Sequence, residues 1–179
     1  MNIFAILEGF KEYEYVKYYT VRLIKDEQKD ESNEADKFYK IYRDPAHSHH
    51  SEYKIILKVI DAIGYHYRGA EPYLFRFEDK ADALPPPRKS AKNILDIEIV
   101  MHSELRLYCI RLSNEVVVLL NGGVKTRDQA LNCPNVSGHF RFAQTIAKLI
   151  DDLIARKEIR IEGKEIINET GEEEIIFYN

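Results

Sequence analysis

The chain has 179 residues, enough for one domain with its own core, and its hydrophobic content of 45% is typical of a globular protein. A formal net charge of −4 and a sequence pI of about 5.9 exclude a generally basic nucleic-acid coat, because such proteins gain affinity by neutralising phosphates. An apolar run of five residues such as 116–120 is far shorter than the roughly 20 residues of a membrane-spanning helix.

The first residues and the cysteines predict the compartment. No basic segment opens the chain, and Glu8 interrupts the apolar stretch before it reaches the length of a signal peptide. Cys109 and Cys133 are too few for a disulfide framework, and neither belongs to a C-x-x-C pair. We therefore expect a cytoplasmic protein with no membrane partner, with Cys109 in the core and Cys133 in a loop.

The N-terminal third predicts two strands and two helices. Alternating side chains rich in Tyr, Val, Thr and Ile indicate strands over residues 2–7 and 17–24. After a polar turn, Ser32 or Asn33 is predicted to cap a short helix that runs through Tyr42. Ser51 is predicted to cap a second helix, which has apolar residues at helical spacing and ends at Gly64.

Residues 65–93 break this periodicity. The prolines at 85–87 favour an extended geometry and cannot join a central strand, so a rigid connector is predicted here. Aromatic residues alternate with arginines over 65–69 and 73–77. Such a stretch suits packing against a sheet edge, and it also suits RNA bases or a protein groove.

The second half of the chain predicts an antiparallel meander and a long helix. Strands are expected over 95–100, 105–112 and 116–120, with short turns between them. A strongly amphipathic pattern predicts a helix over 137–157. The tail, 158–179, is predicted to be an acidic hairpin with strands at 165–167 and 175–178.

Together these patterns predict one α+β domain over residues 1–179, built on a twisted antiparallel sheet. Two helices precede the central three-strand meander, and one long amphipathic helix follows it. The predicted parts are a strand pair with two helices (1–64), a connector (65–93), the meander with its helix (94–157) and the acidic hairpin (158–179).

The meander carries a recognisable pattern. An Arg-x-Tyr strand at Arg106 and Tyr108 is followed by a polar turn, an apolar run and the exit Asn121-Gly122-Gly123-Val124-Lys125-Thr126. Over residues 84–157 the chain resembles RelE/ParE-type proteins, the small toxins of toxin–antitoxin modules. In that family the exit is similar to His-Gly-Phe and leads to two lysines, whereas this chain has an asparagine and one lysine.

The resemblance implies an antiparallel sheet with helices on one face and a cognate antitoxin protein as partner. In the ribonucleolytic branch it also implies cleavage of messenger RNA at the ribosome, with neither a metal nor another cofactor. The chain itself contains no phosphate-binding glycine loop, nucleophile elbow or H-E-x-x-H motif.

Such cleavage needs a base, a cation for the phosphate charge and an acid for the leaving oxygen. Arg106 and Tyr108 share one strand face, since side chains two residues apart point the same way. The predicted roles are a phosphate clamp for Arg106, added charge for Lys125, and base stacking or proton donation for Tyr108. The other basic residues predicted to contact RNA are Arg88, Lys89, Arg111 and Arg127.

Other interpretations remain open. Arginine and tyrosine on an open sheet face are also ordinary solvated residues, and the same fold suits a non-catalytic protein-interaction domain or a gyrase-directed inhibitor. The acidic tail is a candidate screen for the basic face. His47, His49 and His50 precede a helix with no carboxylate or cysteine beside them, so we expect them to be solvated rather than to hold a metal.

Overall fold

The computed structural model describes residues 3–87 and 103–178. Within these ranges the chain forms ten strands, three α-helices and two short 3₁₀ turns. The strands and helices are β1 (Ile3–Glu12), β2 (Lys17–Lys25), β3 (Gln28–Lys29), α1 (Glu34–Tyr42), α2 (His50–Tyr65), β4 (Arg76–Glu78), β5 (Ala81–Leu84), β6 (Leu105–Arg111), β7 (Val116–Val124), α3 (Ser137–Ala155), β8 (Ile159–Glu162), β9 (Glu165–Asn168) and β10 (Ile175–Tyr178).

Eight of the described strands form one sheet. Its order is β10-β1-β2-β7-β6-β5-β4, with β3 beside β2, while β8 and β9 pair with each other alone. The α+β class is therefore confirmed. The sheet is mixed rather than purely antiparallel, because β2 and β7 are parallel neighbours. A parallel pair needs a long crossover, and the segment between these two strands contains α1, α2 and the β4–β5 hairpin.

Helices cover both faces of the sheet. On one face α1 and α2 pack on Leu107 and Leu119, and on the other α3 packs on Tyr108 and Val118. The apolar run at 116–120 is thus a central strand that is buried on both sides. The resemblance to RelE/ParE-type proteins implied helices on one face of the sheet only, and this expectation is wrong. Within the described ranges, no helix has both the length and the apolar character needed to cross a membrane.

The helices follow the sequence prediction closely, apart from two end signals. Asn33 caps α1, and its side-chain oxygen accepts a hydrogen bond from the backbone N–H of Asp36 at 2.8 Å. The predicted cap by Ser51 is wrong, because α2 begins at His50 and no side chain caps it. Gly64 lies inside the last turn of α2, where a Cβ atom would collide with the ring of Tyr13. The long helix, α3, is confirmed.

Part of the predicted connector belongs to the sheet. The strands β4 and β5 form a hairpin, and Ala83 of β5 pairs with Tyr108 of β6. The prolines follow β5 directly. Because β5 has only four residues, the sequence pattern next to the prolines did not predict it. The strand predicted over 95–100 lies outside the described residues. On this side of β6 the described neighbour is β5.

The tail does not form the predicted hairpin. β9 pairs with β8, whereas β10 pairs with β1 at the edge of the main sheet. β10 joins the sheet because Phe177 is buried in the core beneath α3. Three strands separate β10 from β6, and Glu174 pairs with Lys29 at 2.6 Å. The idea that this tail screens the basic part of the meander is therefore wrong.

Glu52 attaches α2 to the beginning of β6. One carboxylate oxygen accepts hydrogen bonds from the backbone N–H of Leu105 and the hydroxyl of Ser103, both at 2.8 Å. The other oxygen lies 2.7 Å from Nδ1 of His49. Burial by itself would raise the pKa of Glu52, but the bonds from Leu105, His49 and Ser103 outweigh it and lower that pKa.

We expect Glu52→Ala to lower the free energy of unfolding by about 2 kcal/mol at pH 7, because the Leu105 N–H loses its acceptor. A carboxylate whose pKa is lowered by folding contributes stability above its unfolded value, here 4.5, and that contribution is lost as the pH falls through the folded value. The difference between variant and wild type should therefore shrink below pH 4.5. Urea unfolding at pH 7 and pH 3 measures it. Glu173→Ala, at an exposed position, is the control, and an equal effect of both variants would contradict the assignment.

Gly122 permits the close approach of β6 and β7. A Cβ atom there would collide with the carbonyl oxygen of Arg106, whereas a Cβ atom at Gly138 would meet nothing within 4 Å. We expect Gly122→Ala to lower the free energy of unfolding by about 3 kcal/mol, since overpacking forces the backbone to shift. Gly138→Ala should change it little. Thermal unfolding of the two variants checks the prediction, and a neutral Gly122→Ala would contradict the described pairing.

Candidate anion-binding site

The strands β4, β5 and β6 build one corner of the sheet beneath α3. Arg76 pairs with Ala83, and Ala83 pairs with Tyr108, so the three side chains point to the same face. The β5 positions on this face are both alanines, Ala81 and Ala83. Their small side chains leave room between the longer side chains of β4 and β6.

A polar depression of about 350 Å³ opens at this corner. We call it the arginine depression. Its lining residues come from β4, from the beginning of β6 and from the segment after β7: Arg76, Glu104, Arg106, Lys125, Thr126, Arg127 and Asp128. Arg106 and Lys125, which were predicted to act together, therefore do line one site, and Arg127 lies with them.

Arg106 forms the inner wall of the depression and is only 8% exposed. Its Nη1 donates hydrogen bonds to the backbone carbonyls of Ser103 at 2.7 Å and Leu105 at 2.9 Å. Its Nε is buried and has no hydrogen-bond partner. Burial lowers the pKa of this guanidinium, and the positive charge of Arg76 lowers it further. The backbone thus fixes the group in place without neutralising its charge.

Arg76 is the site residue that sequence reasoning missed. It is partly buried, and its side-chain Nε has no hydrogen-bond partner. Burial lowers the pKa of its guanidinium, against the opposing effect of the Glu78 carboxylate. From the sequence, Arg76 was included only in the aromatic and basic stretch at 73–77, because the strand β4, on which it turns inward beside the exposed Phe77, was not predicted.

Lys125 is held between two strands. Its backbone N–H donates to the carbonyl of Glu104 at 2.8 Å, which ties the exit of β7 to the beginning of β6. Its ammonium lies 3.6 Å from the carboxylate of Glu78, and both side chains are largely buried. Glu78 is therefore the internal counter-ion of this cluster.

Tyr108 shares a face with Arg106, as predicted, but it does not reach the depression. The residue is fully buried, and its ring makes an edge contact with Phe140 of α3 at a centroid distance of 6.0 Å. Its hydroxyl is buried without a hydrogen-bond partner, and burial raises its pKa. Because α3 covers this face, stacking of Tyr108 on an RNA base is not possible in this structure.

The remaining predicted RNA contacts divide into three cases. Arg127 is exposed at the rim, and its Nη1 donates to the carbonyl of Asn132 at 3.3 Å. Arg111 lies at the other end of β6, bonded to Asn114 at 3.2 Å, and does not line the depression. Arg88 and Lys89 lie outside the described residues.

The histidine cluster has local partners. His49 lies beside the Glu52 carboxylate, and Nδ1 of His50 lies 3.0 Å from the carbonyl of Tyr42. Among the residues of 3–87 and 103–178, no three His, Cys, Asp or Glu side chains are grouped so that they could hold a metal ion. These histidines therefore organise the entrance of α2.

A larger groove, of about 540 Å³, lies at the end of α3 beside the β8–β9 pair. Its lining is mainly apolar, with Ile154, Ile159 and Ile161. Of its two basic residues, Lys157 is exposed and Arg160 is paired with Glu162 and Glu169. The arginine depression differs because its buried guanidinium groups lack such partners.

We expect Tyr108→Phe to raise the free energy of unfolding by about 1 kcal/mol, because the variant no longer buries an unpaired hydroxyl. Urea unfolding measures the change. Tyr18→Phe is the matched control, since the buried hydroxyl of Tyr18 donates to the carbonyl of Ile60 at 2.9 Å, and its removal should lower stability. A loss of stability in Tyr108→Phe would show that this hydroxyl has a partner.

No family model, no curated protein and no solved structure matches this chain. In the arginine depression, three cations form its largely buried wall, Glu78 pairs with one of them, Lys125, and one arginine and two carboxylates lie at its mouth. Such a site suits an anion that can use guanidinium donors.

Proposed function

We propose that this protein binds the phosphate backbone of RNA in the arginine depression and cleaves the strand there without a metal ion, as expected of a RelE/ParE-type toxin. The observation that carries the proposal is that Arg106 and Lys125 line one depression. Arg76 and Arg127 line it too, so four cations surround a volume that suits a phosphate group and its sugar.

The lining residues supply the groups that the reaction needs. A base takes the proton of a ribose 2′-hydroxyl, whose oxygen bonds to phosphorus while the bond to the 5′ oxygen breaks. Glu104 and Asp128 are the lining carboxylates, and we assign the base to one of them. Arg106 and Arg76 stabilise the charge on the phosphate oxygens, and Lys125 donates a proton to the leaving 5′ oxygen. Tyr108 has no part in this scheme because it is buried.

This activity belongs in the cytoplasm, where messenger RNA and ribosomes are. A protein that cleaves messenger RNA also needs a partner that holds it inactive, and we propose a cognate antitoxin protein for that role. An antitoxin that covers the depression with a carboxylate group would compete directly with RNA for the arginines.

The proposal predicts that RNA binding and cleavage depend on Arg106 and Lys125 together. We expect the double variant Arg106→Met, Lys125→Met to lose cleavage of single-stranded RNA, measured with EDTA present, and to bind RNA at least about tenfold more weakly at low salt. The slope of log K against log salt should fall by about 0.7 for each phosphate group that the variant no longer neutralises. Cell growth on expression of either form gives a second measurement.

The matched control removes equal charge elsewhere. Arg111→Met, Lys148→Met changes one residue at the far end of β6 and one exposed residue of α3, neither of which lines the depression. Circular dichroism establishes that both double variants are folded. If both bind and cleave RNA like the wild type, the proposed site is wrong. Intact RNA together with inhibited DNA supercoiling would instead support a gyrase-directed inhibitor.

One observation favours a second candidate, a non-catalytic protein-interaction domain. Phe77 is 80% exposed and Tyr73 is 49% exposed, at the edge strand β4 and the turn before it. Exposed aromatic side chains at a strand edge suit a protein partner. Phe77→Ser should leave RNA cleavage unchanged under the first proposal. A wild-type protein that leaves RNA intact and growth unaffected would favour the second.

A further inference from the structure

The largely buried wall of the arginine depression has a surplus of positive charge. It contains the cations Arg76, Arg106 and Lys125; Glu78 pairs with Lys125, and neither arginine forms an ion pair with another described residue. Glu104, Arg127 and Asp128 are exposed at the mouth, where solvent and salt screen their charges. The surplus therefore lies in the wall.

Burial makes this surplus unfavourable in the free protein. Arg106 is only 8% exposed, and the buried Nε atoms of Arg76 and Arg106 have no hydrogen-bond partner. The two guanidinium groups also repel each other, as the effect of Arg76 on the pKa of Arg106 shows. Buried polar groups normally have a hydrogen-bond partner, so the two unpaired Nε groups point to an anionic ligand.

We infer that the wall is a subsite for a phosphate monoester, the terminal phosphate of an RNA strand or of a nucleotide, and that Arg76 determines this specificity. The inference rests on the proposed function for its RNA ligand. A monoester carries nearly two negative charges at neutral pH and offers three terminal oxygens, which match the charge surplus. An internal phosphodiester carries one charge and leaves one cation of the wall unpaired.

The geometry assigns separate tasks to the two arginines. Arg106 is fixed by two backbone carbonyls, so it presents its charge in one position whatever the ligand. Arg76 has no such partner among the described residues and lies on β4, at the edge of the sheet. It supplies the second positive charge that a monoester requires and a diester does not.

The test compares three short RNAs of one sequence, which end in a 5′-phosphate, a 3′-phosphate or hydroxyl groups only. All carry 2′-O-methyl groups, so that they bind without being cleaved. We expect a terminal phosphate at one of the ends to increase affinity at least about tenfold at pH 7.5. The advantage should decrease below pH 6, where the monoester gains a proton. Titration calorimetry measures both effects.

Arg76→Gln should abolish this advantage, so that the ratio of the affinities for the phosphate-ended and the hydroxyl-ended RNA falls to about one. Arg111→Gln, outside the depression, is the control and should retain the full advantage. If Arg76→Gln does not fold, Arg76→Met removes the same charge with an apolar side chain, and a lost advantage in that variant supports the same assignment. An undiminished advantage in the folded variants would overturn the role of Arg76.

Equal affinity for all three RNAs would overturn the monoester subsite and leave the proposed RNA function standing. Conversely, a protein that binds no RNA but binds a nucleoside monophosphate would disprove the RNA function and retain the subsite. Adenosine 5′-monophosphate, adenosine 3′-monophosphate and inorganic phosphate are the small probes for this comparison. Their affinities also identify whether the terminal phosphate comes from a strand or from a free nucleotide.

Discussion

Gly122 lets the backbones of β6 and β7 approach each other at the carbonyl group of Arg106, and this contact fixes the centre of the sheet. β7 in turn pairs with β2, so the same strand joins the N-terminal part of the sheet to the hairpin of β4 and β5. The pairing also brings the beginning of β6 beside the exit of β7, where Arg106 and Lys125 lie. Stability and the candidate site therefore depend on one contact.

The arrangement of charges in the arginine depression lowers the stability of the free protein. Two guanidinium groups are largely buried with unpaired Nε atoms, and burial lowers the pKa of both. Stability alone would favour apolar side chains of similar volume at these positions. Local conflicts of this kind are characteristic of functional sites, because the energy that the free protein lacks is recovered when a ligand binds.

The overall acidity of the chain and the basic character of the site are compatible because the charges are separated in space. The acidic residues of the tail lie near β10, at the edge of the sheet remote from β6. Glu174 is paired there with Lys29 and does not compete for the depression. Net charge governs solubility and long-range attraction, whereas a buried wall acts over a few ångströms on the group that enters it.

The sequence by itself determined the elements with strong local signals: the strand pair, a helix capped at Ser32 or Asn33, the long amphipathic helix and the apolar strand at 116–120. The resemblance of the meander to RelE/ParE-type proteins also grouped Arg106 with Lys125. Only the tertiary structure decided that β5 borders β6, that β10 joins β1, that α3 buries Tyr108 and that Arg76 completes the site. These contacts join residues far apart in the chain, and a pattern of neighbouring side chains does not encode which distant strand will lie alongside.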